Sequence, residues 1–332
     1  MSQVLLRAWT QRGVLARLLW PLARLLGAAA AVRRVLYRAG WLDAYRAPIP
    51  VVVVGNVVAG GAGKTPITLA LLDHLARRGV RAGVVSRGHG RTASGCTEVT
   101  AQTPPQEAGD EPMLIARRAG VPVFVCADRP AAVRALLQAH PDVQVILSDD
   151  GLQHLALARD IEICVFDGRG VGNGWLLPAG PLREPWPRHA DLVVHTGEHP
   201  AFAGWRARRT LADHAVRADG GTMPLAALAA TPVTAVAGIA QPQAFFTMLR
   251  DRGLAPARTI ALPDHADFST AAPALATDAT VVCTEKDAVK LWLYRPDAWA
   301  VPLQVTLDDG LTKAFDSLLD AKLSLANGSQ TA

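Results

Sequence analysis

A short β-branched run, Ile49 to Val54, gives way to the glycine-rich stretch Val58-Ala59-Gly60-Gly61-Ala62-Gly63-Lys64-Thr65 and then to a helix-patterned segment, Thr65 to Arg78. Few folds accommodate that succession. An uninterrupted apolar strand is a strand buried on both faces of a parallel sheet. A helix that follows it across a glycine turn points its positive N-terminus at whatever the turn holds. Pro66 is tolerated in the first helical turn, Leu69, Leu72 and Leu75 share one face, and Gly79 is the stop. Further strand-like runs at Val80 to Ser86, Val121 to Cys126, Val143 to Leu147 and Ile161 to Phe166 are mostly separated by helical or loop segments. The fold class read from this pattern is α/β, a mostly parallel sheet flanked by helices, with ligands at the carboxyl ends of its strands.

Lys64 is the only lysine in the first 285 residues; arginine supplies every other positive side chain there. The exception marks a position that a guanidinium does not serve, and a P-loop is such a position. Backbone N–H groups of Gly60, Gly61, Ala62 and Gly63 would cradle phosphates, the Lys64 ammonium would reach the β- and γ-oxygens, and the Thr65 hydroxyl would hold Mg²⁺. The expected ligand is a nucleoside triphosphate on a P-loop NTPase-like sheet. The usual pattern has glycine where this chain has Val58, so Gly55, Gly60 and Gly61 are left to supply the turn. Switch ATPases with a second loop lysine carry it where this chain has Ala59.

Other polar clusters follow strand ends or lie in loops. Val143 to Leu147 runs into Ser148-Asp149-Asp150, the form of a Walker B element whose carboxylates meet Mg²⁺ opposite Thr65. Gly109-Asp110-Glu111-Pro112 offers Asp110 as a proton acceptor and Glu111 for a metal shell, or simply a solvated turn before a helix. Arg87, His89 and Arg91 follow the second strand, Arg129 follows the Val121 run, and Arg183-Glu184 ends a Gly/Pro-rich stretch. Such arginines hold phosphates or offset developing charge, or are solvated. Asp264-His265 is ambiguous by itself.

With 332 residues and 50% hydrophobic content, the chain has room for two domains. The expected division is a helical segment at 1–46, a P-loop domain at 47–195 and a smaller second α/β domain at 196–332, whose final helix closes it or returns to the first. Cys96, Cys126, Cys164 and Cys283 show no paired spacing for zinc or a disulfide framework, which fits a reducing compartment.

The net charge of +5 is unevenly spread. No acidic residue precedes Asp43, whereas Arg7, Arg12, Arg17, Arg24, Arg33, Arg34 and Arg38 accumulate. On a helical projection Leu15, Leu18, Leu19, Leu22, Leu25, Leu26, Ala29 and Leu36 oppose Arg17, Arg24, Arg34 and Arg38. No uninterrupted apolar run reaches the ~18–20 residues of a membrane span. The reading is a basic amphipathic segment lying at a membrane interface, against a helix packed on the protein or a transit peptide. Pro21 and Gly27 count against one straight helix. Nucleic acid is not an expected partner, since no recognition motif accompanies the arginines.

The segments GNVVAGGAGKTP (Gly55 to Pro66), SRGHGR (Ser86 to Arg91), GDEP (Gly109 to Pro112), SDDGLQH (Ser148 to His154), LLPAGPLREP (Leu176 to Pro185), PDH (Pro263 to His265) and TEKDAVKL (Thr284 to Leu291) occur in that order over about 235 residues. Together they resemble the tetraacyldisaccharide 4′-kinase family, the lipid A 4′-kinases of Gram-negative bacteria. The resemblance implies Mg²⁺-dependent transfer of the γ-phosphoryl of ATP to the 4′-hydroxyl of an acylated glucosamine disaccharide 1-phosphate, yielding lipid IVA at the cytoplasmic face of the inner membrane. It makes Asp110 the catalytic base, assisted by His265 from the second domain across a cleft, with Lys64 and Arg183 also catalytic. Thr65, Asp149, Asp150, Glu111 and Glu184 become the metal set, and Arg87, Arg129 and His154 line the substrate site. Where many members have a second histidine after the one matched by His265, this chain has Ala266. Two other classes keep a place: a GTPase-like switch, whose Asn-Lys-x-Asp sequence Thr284-Glu285-Lys286-Asp287 resembles only superficially, and a noncatalytic membrane-binding module.

Overall fold

The computed structural model describes residues 8–100, 102–198, 200–271, 275 and 279–330; Arg7 and the start of the 1–46 segment lie outside the described residues. The chain divides into two compact units. One holds the chain up to Arg87, Asp128–Arg208 and everything from Leu307 onward; the other holds Gly88–Ala127 and Arg209–Thr306. This differs from a boundary at residue 195. The stretch bearing Asp110 belongs with the later chain because helix Asp110–Ala119 packs on helix Glu285–Leu291. Arg118 Nη1 ties the two, donating to Glu285 Oε2 at 2.8 Å and to the Leu303 carbonyl at 2.7 Å.

In the first unit, strand Val51–Gly55 is buried along its whole length and lies between Val145–Asp149 and Ile161–Phe166, parallel to both. Ala82–Ser86 pairs beyond Val145–Asp149, and Leu192–His195 beyond Ile161–Phe166, again parallel. The chain thus builds outward in both directions from Val51–Gly55, and the loop after that strand stands at the topological switch point. The register Val54↔Asp149 sets the Asp149 carboxylate beside the start of that loop. The final helix, Asp309–Gln330, returns to this unit: Leu311, Phe315 and Leu319 are buried at helical spacing, and Asp316 pairs with His74 at 2.8 Å and Arg78 at 2.6 Å.

The N-terminal helix is one continuous element, Val14–Arg38, despite Pro21 and Gly27. Pro21 forfeits a single backbone donor, and the leucine-, alanine- and arginine-rich sequence on either side continues the helix. By length and composition it is apolar enough to cross a membrane, although no unbroken apolar run announces this. Its buried positions are small: Ala16 and Ala23 are buried, and a Cβ on Gly27 would stand 2.5 Å from Leu176. The leucine face is turned out, with Leu18 73% and Leu25 69% exposed. A helix held by its alanines and exposing its leucines is not an ordinary amphipathic helix covering a core.

The second unit has its own sheet. Arg258–Ala261, Val233–Ala237, Thr280–Thr284 and Trp299–Val301 run parallel in that order, and the antiparallel pair His214–Val216 and Thr222–Pro224 extends the far edge. Phe245, Phe246 and Leu249 of helix Pro242–Asp251 fill its core with Ala235, Val282 and Trp299. Short strands Thr97–Glu98 and Val123–Val125 pair antiparallel with Thr97 opposite Val125. That register brings Cys96 and Cys126 together as a disulfide, Cα–Cα 4.5 Å, against the expectation of four unpaired cysteines. Spacing along the chain does not report a cross-strand pair. Cys164 and Cys283 are free and buried.

Candidate active site

The loop after Val51–Gly55 closes without the consensus first glycine because other groups brace it. Buried Asn56 donates from Nδ2 to the Val58 carbonyl at 2.6 Å and to Gly60 O at 3.3 Å. Val58 bridges antiparallel to Leu182, and the Ala59 N–H donates to Pro181 O at 2.8 Å. Gly63 then turns the chain at φ 83°, a left-handed conformation that favours glycine, and the helix Lys64–Arg77 begins. From outside, Arg169, anchored on Asp167, donates to Gly61 O at 3.1 Å. Neither Asn56 nor Arg169 was singled out by sequence; the Gly55-Asn56 pair directly after the strand was the available signal for the first.

Lys64 stands at the loop's end, its Nζ 3.5 Å from Asn56 Oδ1 and 3.6 Å from Asp150 Oδ1. The Thr65 hydroxyl donates to Asp149 Oδ2 at 3.1 Å and the Thr68 hydroxyl to Oδ1 at 2.9 Å. Asp150, at φ 53°, is held in a conformation rare outside glycine, its carboxylate gripped by Arg183 Nη1 at 3.1 and 3.2 Å. Burial pushes the Asp150 carboxyl up, but the charges of Lys64, Arg183 and Arg129 outweigh it and hold the group below the usual range. Arg129 is almost fully buried; that burial lowers its pKa to about 10, against the pull of Asp149 and Asp150, and it remains a cation at neutral pH.

Lys64, Thr65, Asp149, Asp150, Arg129 and Arg183 are thus brought together. Arg87 is exposed and acts on Arg129 and His154 through its charge. Glu184 is occupied otherwise: Oε1 accepts from Gln153 Nε2 at 2.6 Å and Arg188 Nη1 at 3.3 Å. Among the described residues no three His, Cys, Asp or Glu side chains converge as a protein-only metal cage. A hydroxyl and a carboxylate at hydrogen-bond distance are nonetheless the hard-oxygen pair that suits Mg²⁺, which usually keeps waters and takes phosphate oxygens for its other ligands.

Burial, then the charges of Arg129 and Arg87, lowers His154 to a pKa of about 4. An unfolded histidine titrates near about 6.5. Between these values the unfolded chain binds more protons, so stability rises with pH through that window and is lost as pH falls through it. The melting temperature should therefore drop between pH 7 and 5, and His154→Gln should flatten the drop; an unchanged slope would assign it to other groups.

The second unit holds the other cluster. Gly109, at φ 88° and ψ 159°, lets the chain pass close to the loop at Gly88 and His89; a Cβ there would lie 2.9 Å from His89 O. Asp110 follows as the first residue of its helix, 7% exposed. Its Oδ2 lies 3.0 Å from His265 Nδ1 and 2.9 Å from Lys290 Nζ. Burial raises the Asp110 carboxyl, but the hydrogen bonds from His265 and Lys290 and the charges of Lys290 and Lys286 leave it below the usual range. Glu111 lies 3.6 Å from Lys286, which also donates to Asp264 at 3.0 Å. The His89 ring is 5.2 Å from that of His265. Asp110 and His265 belong to one unit, so they do not wait for two domains to approach, as sequence order implied.

Thr284-Glu285-Lys286-Asp287 is a helix start. The Thr284 hydroxyl caps it by accepting from Asp287 N at 3.1 Å, and buried Asp287 accepts from the Gly238 N–H at 3.0 Å. Lys286 and Lys290, one turn apart, share the face that meets Asp264, His265 and Asp110. Neither lysine was among the predicted site residues, although the chain has only five and the rarity that exposed Lys64 also marked these two.

A phosphate loop at the switch point of a parallel sheet, a hydroxyl–carboxylate pair beside its lysine and a separate buried carboxylate–histidine pair define a P-loop protein of the kinase class. A sequence profile described as tetraacyldisaccharide-1-P 4′-kinase matches residues 15–324. The tetraacyldisaccharide 4′-kinase of Polaromonas naphthalenivorans is 57% identical over 333 residues, covering 98% of this chain and 97% of the relative. That of an Acidovorax species is 54% identical over 324 residues, covering 97% and 95%. A crystal structure of the "apo" form of LpxK from Aquifex aeolicus in complex with ATP matches with a TM-score of 0.80 at 29% identity, covering 92% of this chain and all of that one. The chain belongs to the tetraacyldisaccharide-1-phosphate 4′-kinase family.

Proposed function

We propose that the protein transfers the γ-phosphoryl group of ATP to the 4′-hydroxyl of tetraacyldisaccharide 1-phosphate in lipid A synthesis, with Asp110 as general base. The observation that carries the reading is the Asp110 carboxylate, buried yet kept anionic by His265 and Lys290. The acceptor hydroxyl gives its proton to Asp110 as its oxygen bonds to the γ-phosphorus. The bond from that phosphorus to the β–γ bridging oxygen breaks, and ADP leaves. Lys64 and the loop N–H groups meet the charge on the transferred group, and Arg183, fixed on Asp150, adds a further cation. Thr65 and Asp149 would hold Mg²⁺, with Asp150 next to them held by Arg183 and Lys64, and the ion would supply charge neutralisation at the phosphates.

The acceptor's acyl chains do not leave a bilayer cheaply, at about 0.8 kcal/mol per exposed methylene. Helix Val14–Arg38, with leucines outward and arginines along it, is the segment proposed to dock the enzyme at the cytoplasmic face of the inner membrane. Leu18→Gln with Leu25→Gln should weaken vesicle association by about tenfold or more, since a buried leucine contributes about 1.5–3 kcal/mol. Sedimentation with anionic vesicles measures it, and unchanged binding would place docking elsewhere.

The reaction itself is tested with γ-labelled ATP, Mg²⁺ and tetraacyldisaccharide 1-phosphate in mixed micelles. Label in the lipid establishes acceptor and reaction together. Bound ATP with no labelled lipid would mean that the acceptor is another molecule.

A further inference from the structure

The Asp110 carboxylate has two oxygens, and the second unit treats them differently. Oδ2 receives both His265 Nδ1, at 3.0 Å, and the Lys290 ammonium, at 2.9 Å. Oδ1 receives no hydrogen bond from the described residues. Lys290 also donates to the Ala266 carbonyl at 2.9 Å, tying the carboxylate to the turn that bears His265. That turn needs holding: His265 sits at φ 61°, with its N–H on Gly238 O at 3.2 Å. On the ring's far side Lys286 Nζ lies 3.5 Å from Nε2. Asp264 Oδ1 lies 3.9 Å from the same Nε2 and 3.0 Å from Lys286 Nζ, so Lys286 and Asp264 together flank the ring edge opposite Asp110.

We propose that Lys290 is a positioning residue for phosphoryl transfer: with His265 it occupies Oδ2 of Asp110 and leaves Oδ1 as the oxygen that takes the proton of the acceptor hydroxyl. Lys286 supports the same arrangement from behind, paired with Asp264 at the far edge of the His265 ring. The use of lysine in an arginine-rich chain follows from the geometry. One small ammonium meets a carboxylate oxygen and a carbonyl from a single atom, whereas a guanidinium spreads its donors over a rigid planar fork. The proposal rests on Asp110 being the base.

A double-mutant cycle on the full-length chain tests it, with ATP and tetraacyldisaccharide 1-phosphate in mixed micelles. Lys290→Met, similar in volume but without charge or donor, should lower kcat by roughly 10- to 100-fold, the effect of losing one hydrogen bond to a charged group, and leave KM for ATP unchanged. Lys290→Arg should recover part of the loss. In an Asp110→Asn background Lys290→Met should cost nothing further, because a residue that acts through Asp110 has nothing left to position. Wild-type kcat for Lys290→Met, or losses that multiply in the double variant, would overturn the assignment. Should Lys290→Met fail to fold, Lys290→Gln takes its place in the cycle with the same expectations. Wild-type turnover by Asp110→Asn alone would instead remove the base reading, so the two failures are told apart.

Discussion

Asp110→Asn is expected to lower kcat by about 10²- to 10⁴-fold, the range lost with a general base, while ATP affinity stays at the wild-type value. Asparagine keeps the volume of the side chain, its start of the helix and an oxygen for Lys290 and His265, but it takes no proton. The wild-type carboxylate is anionic at neutral pH because two hydrogen bonds and two ammonium charges outweigh its burial. It therefore stands ready to accept the proton as the oxygen–phosphorus bond forms. Initial rates with γ-labelled ATP measure the effect, and calorimetric ATP titration checks that the nucleotide still binds. Wild-type turnover would remove Asp110 from the mechanism.

Lys64→Ala should lose about 10²–10³ in kcat, the cost of removing one preorganised donor aimed at transition-state charge. It should also shrink the rise in melting temperature that ATP produces, since a ligand stabilises in proportion to its affinity for the folded state. Lys64 is confined between Asn56 and Asp150, its side chain 11% exposed. A guanidinium does not fit that space as a point charge does, so Lys64→Arg should not restore the rate. Full activity in Lys64→Ala would make the loop lysine incidental to the transfer.

Much of the first unit was legible in the chain because its signals are local. The strand–glycine–lysine–helix succession at Ile49 to Arg78, and the apolar strand ending at Asp149-Asp150, each describe one stretch of backbone; the register Val54↔Asp149 then joins them. What was missed lies between stretches. Asn56 braces the loop from two and four residues away, and the turn at Pro181 and Leu182, which meets Ala59 and Val58 across more than a hundred residues, completes what the absent glycine at Val58 would have supplied. The Cys96–Cys126 pair follows from a cross-strand register. Glu184, which only the family resemblance puts in the metal set, accepts from Gln153 and Arg188.

Sequence by itself determined the α/β class, the phosphate loop, its carboxylate partner and the basic N-terminal helix, because periodicity, glycine placement and charge asymmetry act over a few residues at a time. Only the tertiary structure decided that Gly88–Ala127 belongs with the later chain, that the leucines of Val14–Arg38 face outward, and that Lys286 and Lys290 meet His265 and Asp110. Those outcomes depend on which surfaces bury one another. Asp110 and Lys290 stand 180 positions apart, and the packing of their two helices brings them to 2.9 Å.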